Sequence, residues 1–430
     1  MNPPGSPAER GRHRIAWRLM PFLFILYVIA FLDRVNVSYA ALQMTKDLGF
    51  SDRVFGFGAG IFFVGYFLLE IPGTIIVERW SARKWIARIM ISWGIMAILM
   101  GFINTSTQFY VVRFCLGLAE AGFFPGIIVY LGHWFCYEDR AKAVALFMSA
   151  LPISNLIGSP VSGLILGVNW FGLPGWRWVF ILEGIPAVIF GLVTIFYLTD
   201  WPRQANWMPE DEREWITGAL EQEKQARKAA RPMNLLQGFK QREVLLLLSV
   251  YFMTVTGYYG FTLWMPTVIK RMSGLSDLMV TFVAFLPYLC GLAAMLICGW
   301  TSDRTGERRW HTAVPPMIAG TGLLLAIAAG DNLALVVAMF CVVAAGGHAY
   351  LPSFWAVPTA FLTESAAAAA IGLINSVGNL GGFLGPHLVG YLSTMTGSFK
   401  GGLAVLSAFL ITAGLLASTI RTPRGKQLAG

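Results

Sequence analysis

Six ionisable side chains, Asp33, Arg34, Glu70, Arg113, Glu120 and Glu183, fall inside long apolar stretches of the first half of the chain. In hydrocarbon each would cost ~2.5 to 3.5 kcal/mol even on the lenient insertion scale, so each marks a task rather than a surface. The second half has essentially none at comparable depth, since Asp277 and Glu364 sit at segment ends. Charge handling is therefore expected of the N-terminal half. Arg113 and Glu120 are seven residues apart, hence on one helix face and ~10 Å apart along its axis, with Gly117 and Ala121 leaving room beside them. A guanidinium so placed can grip a carboxylate through two parallel hydrogen bonds. A partly buried carboxyl can take up and release a proton as its surroundings change. The plainer alternative is that both serve only to pair with Asp33 and Arg34. Those two are adjacent, so on a helix they point about 100° apart and do not easily satisfy each other. Arg34 is expected to face a central cavity, and Asp33 to turn toward the helix of Arg113 and Glu120. Glu70 and Glu183 each precede a proline (Glu70-Ile-Pro72, Glu183-Gly-Ile-Pro186) and read as structural, bonding backbone at helix breaks.

A membrane-embedded hydrolase would need a Ser/His pair or a His/Glu/Asp metal grouping, and none is present in these stretches. The five cysteines (Cys115, Cys136, Cys290, Cys298, Cys341) form no CxxC pair, and the five histidines show no metal-ligand spacing. No catalytic group, cofactor or metal is expected.

The elements that must position these residues are membrane helices. Hydrophobic residues make up 56% of the 430 positions and charged ones 13%, and the mean hydropathy is +0.62, outside the range of a soluble domain. A spanning helix needs ~20 apolar residues. Twelve such segments can be marked: Leu19 to Tyr39, Phe55 to Val77, Trp85 to Ile103, Gln108 to His133, Ala143 to Val168, Trp178 to Leu198, Val244 to Ile269, Asp277 to Trp300, Thr312 to Ala329, Leu333 to Phe354, Ala366 to Leu392 and Gly402 to Ile420. The first lacks a small-residue cleavage site before Asp33 and Arg34 and reads as a retained helix rather than a signal peptide. An even number brings both ends to one side. With that side cytoplasmic, 24 of the 32 basic residues are cytoplasmic, the positive-inside asymmetry. It accounts for the net charge of +9 without a nucleic-acid partner; the partners expected are the lipid bilayer, protons and a small substrate, for a monomer.

The expected fold is an all-α membrane protein of twelve transmembrane helices in two pseudo-symmetric six-helix bundles. Its parts are a cytoplasmic tail at 1–12, a first bundle at 13–199, a cytoplasmic linker with a surface helix at 200–242, a second bundle at 243–420 and a tail at 421–430. The halves echo one another at an offset of about 226 residues. After the eighth segment stands Gly299-Trp-Thr-Ser-Asp303-Arg304-Thr-Gly306-Glu-Arg308-Arg309, and after the second Gly73-Thr-Ile-Ile-Val-Glu78-Arg79-Trp-Ser-Ala-Arg83-Lys84. An acid at a helix end facing clustered bases suits an ion-pair latch that breaks and remakes as two halves rock. Gly158 and Gly163 likewise echo Gly385 and Gly390, where small residues let helices approach closely.

The loop at 299–309 resembles the signature of the major facilitator superfamily. Leu32-Asp33-Arg34-Val-Asn-Val-Ser, Gly60-Ile-Phe-Phe-Val-Gly-Tyr66-Phe-Leu-Leu-Glu-Ile-Pro72, Arg113-Phe-Cys-Leu-Gly-Leu-Ala-Glu120-Ala-Gly-Phe-Phe-Pro125-Gly and Asn375-Ser-Val-Gly-Asn379-Leu-Gly-Gly-Phe-Leu-Gly-Pro386 resemble its anion:cation symporter family, in particular bacterial tartrate, phthalate, hydroxyphenylacetate and sugar-acid permeases. The resemblance implies proton-coupled uptake of a small organic anion at the bacterial inner membrane. It puts the proton-coupling acids at Asp33 and Glu120, the substrate carboxylate at Arg34 with Arg113 nearby, and pocket positions at Tyr66, Trp355 and Asn375. Leu151, where sugar-acid carriers place a polar amide, Pro72-Gly73-Thr74, His348 and Glu364 depart from the family pattern. Aromatics Tyr258, Tyr259, Trp264, Phe354 and Trp355 are candidates to line the second half's side. With an apolar Leu151, they suit an aromatic or short hydroxy acid better than a sugar acid. The competing readings are a proton-driven exporter and a non-transporting nutrient sensor on the same fold; the arginine pair speaks against a cationic drug.

Overall fold

In the computed structural model, residues 5–229, 241–361 and 364–420 are described, and they form helices with no strand among them. The side chains of Glu78, Arg79 and Glu364 and the tail at 421–430 lie outside the described set. Among the described residues twelve rods run antiparallel, joined by short connections except between the sixth and the seventh. Span 1 is Pro7–Asp47, span 2 Asp52–Arg79 and span 3 Ala82–Met100. Span 4 is Ser106–Glu120 continued by Phe123–Trp134, and span 5 is Tyr137–Met148 continued by Ala150–Leu166. Span 6 is Gly175–Tyr197, span 7 Arg242–Ser273, span 8 Asp277–Thr305 and span 9 Arg309–Ala328. Span 10 is Leu333–Ala349 with Leu351–Phe361, span 11 Glu364–Asn379 with Gly381–Thr396, and span 12 Lys400–Ala417. Polar residues in the loops start these helices. Ser6, Ser51 and Ser81 accept a hydrogen bond from the backbone N–H three residues on, and Thr105 with Gln108 forms a capping box.

Ten of the rods are long and apolar enough to cross a bilayer by composition alone. Span 3 misses that measure because Arg83, Lys84 and Arg88 crowd its first turns, and span 11 is rich in Gly, Ser and Asn. Leu99, Phe196, Leu296, Ile297 and Met395 point outward and are exposed, as lipid-facing side chains must be. Inside each half, span 3 packs on 6, 1 on 5 and 6, and 2 on 4; in the second, 9 packs on 12, 8 on 10, and 7 on 11 and 12. The halves meet along two related seams, span 2 with 11 and span 5 with 8, and along span 1 with 7.

Small residues make the seams close. A side chain on Gly60 would run into the carbonyl of Phe383 at 2.7 Å, one on Gly382 into the ring of Phe63, and Gly56 and Gly390 sit against the carbonyls of Pro386 and Asp52. Polar contacts between the halves gather at the end of the molecule away from the N-terminus. Asp52 pairs with Arg271 and accepts from Ser393 Oγ at 2.6 Å, Gln43 donates to Asp277 at 2.9 Å, and Ser159 donates to the carbonyl of Thr281. That end is closed. Asn375 with Glu70 is the described cross-half hydrogen bond nearest the opposite end.

The surface helix Glu210–Ala229 carries Glu210, Asp211 and Glu212 in its first turn, complementing its dipole. Arg10 pairs with Asp211, Arg14 with Glu212 at 2.8 Å and Arg140 with Glu223 at 2.8 Å. These contacts fasten it to the first half.

Candidate functional site

Span 4 breaks where its acid stands. Glu120 is the last residue of the first piece, Ala121 turns out of the helix (ψ 136°) and Gly122 takes φ 84°, a left-handed conformation that only glycine adopts without strain. The backbone there lies against Gly73, so neither glycine can carry a side chain freely. Spans 5, 10 and 11 are interrupted too, at Ser149, Tyr350 and Leu380. Spans 10 and 11 are the second-half counterparts of 4 and 5. Discontinuous helices are how transporters bring polar groups to mid-membrane.

A carboxylate at a helix C-terminus faces the wrong end of the dipole, and Glu120 is buried. Its compensation is Arg34, which pairs with Glu120 Oε1. The guanidinium lies 4.7 Å from the centre of the Phe31 ring, 5.3 Å from Tyr66 and 5.7 Å from Phe62, an enclosure that strengthens a charge pair by excluding water. The pair is only half satisfied: Glu120 Oε2 and Arg34 Nε have no hydrogen-bond partner.

Three expectations need correction. Asp33 does not turn toward span 4; Trp93 Nε1 of span 3 donates to it at 2.6 Å and Asn36 at 2.9 Å, because the 100° step from Arg34 carries it past span 4. Arg113 does not reach the cavity. It is buried between spans 2 and 4, donates to the carbonyl of Ala59 at 3.1 Å and rests on Phe62 at 4.9 Å, the ring Arg34 also touches. Glu70 and Glu183 have side-chain partners on other spans, which a reading of them as helix-break residues does not supply. Glu70 accepts from Asn375 of the other half at 2.5 Å, and Glu183 accepts from Ser162 at 2.7 Å.

The cavity lies between the halves. Phe31 and Val35 of span 1 and Leu151 and Asn155 of span 5 face Tyr258, Tyr259 and His348 across it. Arg34, expected to face this cavity, is not among the residues that line it; its guanidinium lies against Phe31, which does, with Tyr66 beside it. Asn375 also accepts from Tyr251 at 3.4 Å, while Trp355 packs on Tyr251 and Phe354 at ring distances of 5.0 Å. Trp264 lies elsewhere, donating to the carbonyl of Pro386 at the closed end. In the loops, Asp303 meets Arg308 of its own loop at 2.6 Å and Arg304 covers Trp300 at 5.3 Å. The backbone N–H of Arg83 donates to Asp200 at 2.9 Å, as Ser81 does at 2.8 Å. The first loop's bases thus answer to an acid just beyond span 6. Reading the residues missed Asn155 and Tyr288; the available signal was that Asn155 lies one helical turn beyond Leu151, on the same face.

A buried charge pair beside an inter-half cavity, on broken helices of two related bundles, is the build of a secondary transporter. The Major Facilitator Superfamily model matches residues 23–386, and the chain belongs to that family. It is 47% identical over 404 residues to the "Putative tartrate transporter" of Agrobacterium vitis, covering 94% of this chain and 93% of the relative. It is 36% identical to the quinolone resistance transporter of Acinetobacter baumannii, covering 92% of each. Among solved structures, the inward-facing, occupied form of a bacterial homologue of the human lysosomal transporter Spinster superposes with a TM-score of 0.76 at 17% identity, covering 96% of this chain and 97% of that one. That likeness concerns the fold.

Proposed function

We propose that this transporter carries a small organic anion, a hydroxy or aromatic carboxylate, into a bacterial cell together with protons. The observation that carries the reading is the half-satisfied Arg34–Glu120 pair. While Glu120 is ionised it occupies Arg34. Protonation releases the guanidinium, whose planar fork then suits a substrate carboxylate. Proton and anion thereby bind together, and when the anion leaves, Glu120 gives up its proton and pairs again. Asp33, held by two donors, is the second proton-coupling group, with Tyr66, Asn375 and Trp355 supporting the pocket and Arg113 a more distant cation. The chain works as a monomer in the inner membrane with both termini cytoplasmic, an orientation supported by the basic loops; the closed end is then periplasmic and the state inward-facing.

Reconstituted in vesicles with an inside-alkaline gradient, the protein is expected to accumulate an acid such as tartrate and to stop when the gradient is collapsed. Failure with a panel of hydroxy and aromatic acids would overturn the reading. The quinolone resistance relative favours a second possibility, export; accumulation in inverted vesicles with an inside-acid gradient would select it. Asp303 belongs to the gating loop, and its exposed pair with Arg308 adds under about 1 kcal/mol to stability. Asp303→Asn is therefore expected to slow transport with unchanged substrate ranking and melting temperature; a reordered ranking at normal rate would contradict the gating role.

A further inference from the structure

Two acids of the first half share one amide. Asn36 of span 1 donates to Asp33 through Nδ2 at 2.9 Å, and the same side chain bonds Glu183 of span 6. All three are buried, Glu183 at 6% exposure and Asn36 at 0%, and none of them lines the cavity between the halves. Two carboxylates held on one buried amide repel each other, and the arrangement is most stable when one of them keeps a proton.

The surroundings decide which one. Trp93 Nε1 gives Asp33 a second hydrogen bond at 2.6 Å, and Arg113 and Arg34 act on it through space; all of these favour its ionised form. Glu183 has less support. Ser162 donates to its Oε1 at 2.7 Å, while Oε2 has no partner. Among the described residues the charge that acts on Glu183 is that of Asp33. Of the spans packed on span 6, span 3 meets it through Gly94, Ala97 and Ile98 at Gly184. Span 5 supplies Ser162, and span 1 supplies Asp33, Asn36 and Tyr39. A protonated Glu183 makes Oε2 a donor, and Asn36 Oδ1, buried and without a hydrogen bond, is an acceptor that lacks one.

We infer that Asp33 and Glu183 hold one proton between them across Asn36, that in this state it rests on Glu183, and that Glu183 thereby governs when Asp33 takes up its own. Glu183 is a positioning residue for the proton, acting through Asp33. When Glu183 ionises, a second negative charge stands beside Asp33 and draws a proton onto it. The bearing on transport rests on Asp33 as a coupling group, as proposed above; the shared proton itself does not.

The test is infrared spectroscopy of the purified full-length protein in lipid, titrated with pH in the absence of substrate, because a protonated carboxyl absorbs apart from a carboxylate. Glu183→Gln is expected to remove one carboxyl's share of the protonated band at neutral pH and to melt near wild type, since the amide mimics the protonated acid. Asp33→Asn removes the like charge, so the Glu183 band should fade about one pH unit or more lower than in wild type, a tenfold easier release. A protonated band unchanged by Glu183→Gln, or a Glu183 titration unmoved by Asp33→Asn, overturns the shared proton. Should Glu183→Gln fail to fold, Ser162→Ala identifies the band instead, since losing the bond to Oε1 shifts it; a band that does not move overturns the assignment. In gradient-driven uptake, Glu183→Gln deprives Asp33 of the neighbouring charge, so the alkaline limb of the pH profile should move to lower pH. An unmoved limb overturns the control of Asp33 by Glu183. If wild type itself does not accumulate substrate with the gradient, the coupling reading fails, and the infrared result judges the shared proton separately.

Discussion

Arg34→Ala is expected to weaken binding of the carboxylate substrate by about 2 to 5 kcal/mol, the cost of truncating one partner of a desolvated charge pair, or thirtyfold and beyond. Arg34 is the described cation nearest the cavity, and its fork is committed to a single oxygen of Glu120 with Nε unbonded. Arg34→Lys keeps the charge but loses the planar fork, so it should also bind poorly. Removing Arg34 strands a buried carboxylate, which by itself destabilises the protein. The double variant Arg34→Ala with Glu120→Gln relieves that strain and separates binding from folding: it should melt near wild type and still not bind. Binding within about threefold of wild type by a folded Arg34→Ala protein would place the anchor elsewhere, and Arg113 is the next candidate.

Glu120→Gln should retain counterflow exchange and lose accumulation driven by a proton gradient. The amide cannot ionise, so it never recaptures Arg34, and the substrate binds without needing a proton. A second consequence has a definite sign. In wild type, binding weakens as pH rises, because ionised Glu120 competes for the guanidinium; in the variant that dependence should flatten. Proton-driven accumulation at the wild-type level by Glu120→Gln would remove this residue from the coupling.

Much of the architecture was legible because the bilayer imposes severe constraints on composition. Twelve apolar segments, the excess of basic residues on one side and the six intramembrane charges all follow from the cost of placing polar groups in hydrocarbon. Partners were less legible. That Asp33 bonds Trp93 depends on how spans 1 and 3 pack, and neither spacing nor periodicity carries that. The bond to Glu70 from Asn375 was not legible because Pro72 supplies a local explanation for the acid, whereas Asn375 comes from the other half. The break at Ala121 and Gly122 was hidden because glycines are frequent in membrane helices, and only the left-handed backbone distinguishes this one. Asn155 was not legible because the apolar Leu151 one turn before it gives that helix face an apolar look.

The backbone-to-backbone seam between spans 2 and 11 bears on leakage. Side chains yield by changing rotamer, but the carbonyls of Phe383 and Pro386 against Gly60 and Gly56 have no such freedom, and packed interfaces of this kind move between discrete states. Such a closure behaves as a switch rather than a spring: it is shut or open, with few gaps wide enough for a file of water. Gly60→Ala should hold those two backbones apart, and vesicles carrying it are expected to dissipate an imposed pH gradient without substrate faster than wild type, as followed with an entrapped pH dye. An unchanged rate would assign the insulation to the Asp52–Arg271 clasp instead. A faster leak would mean that the glycines that permit motion are also what keeps the proton gradient from draining through an idle carrier.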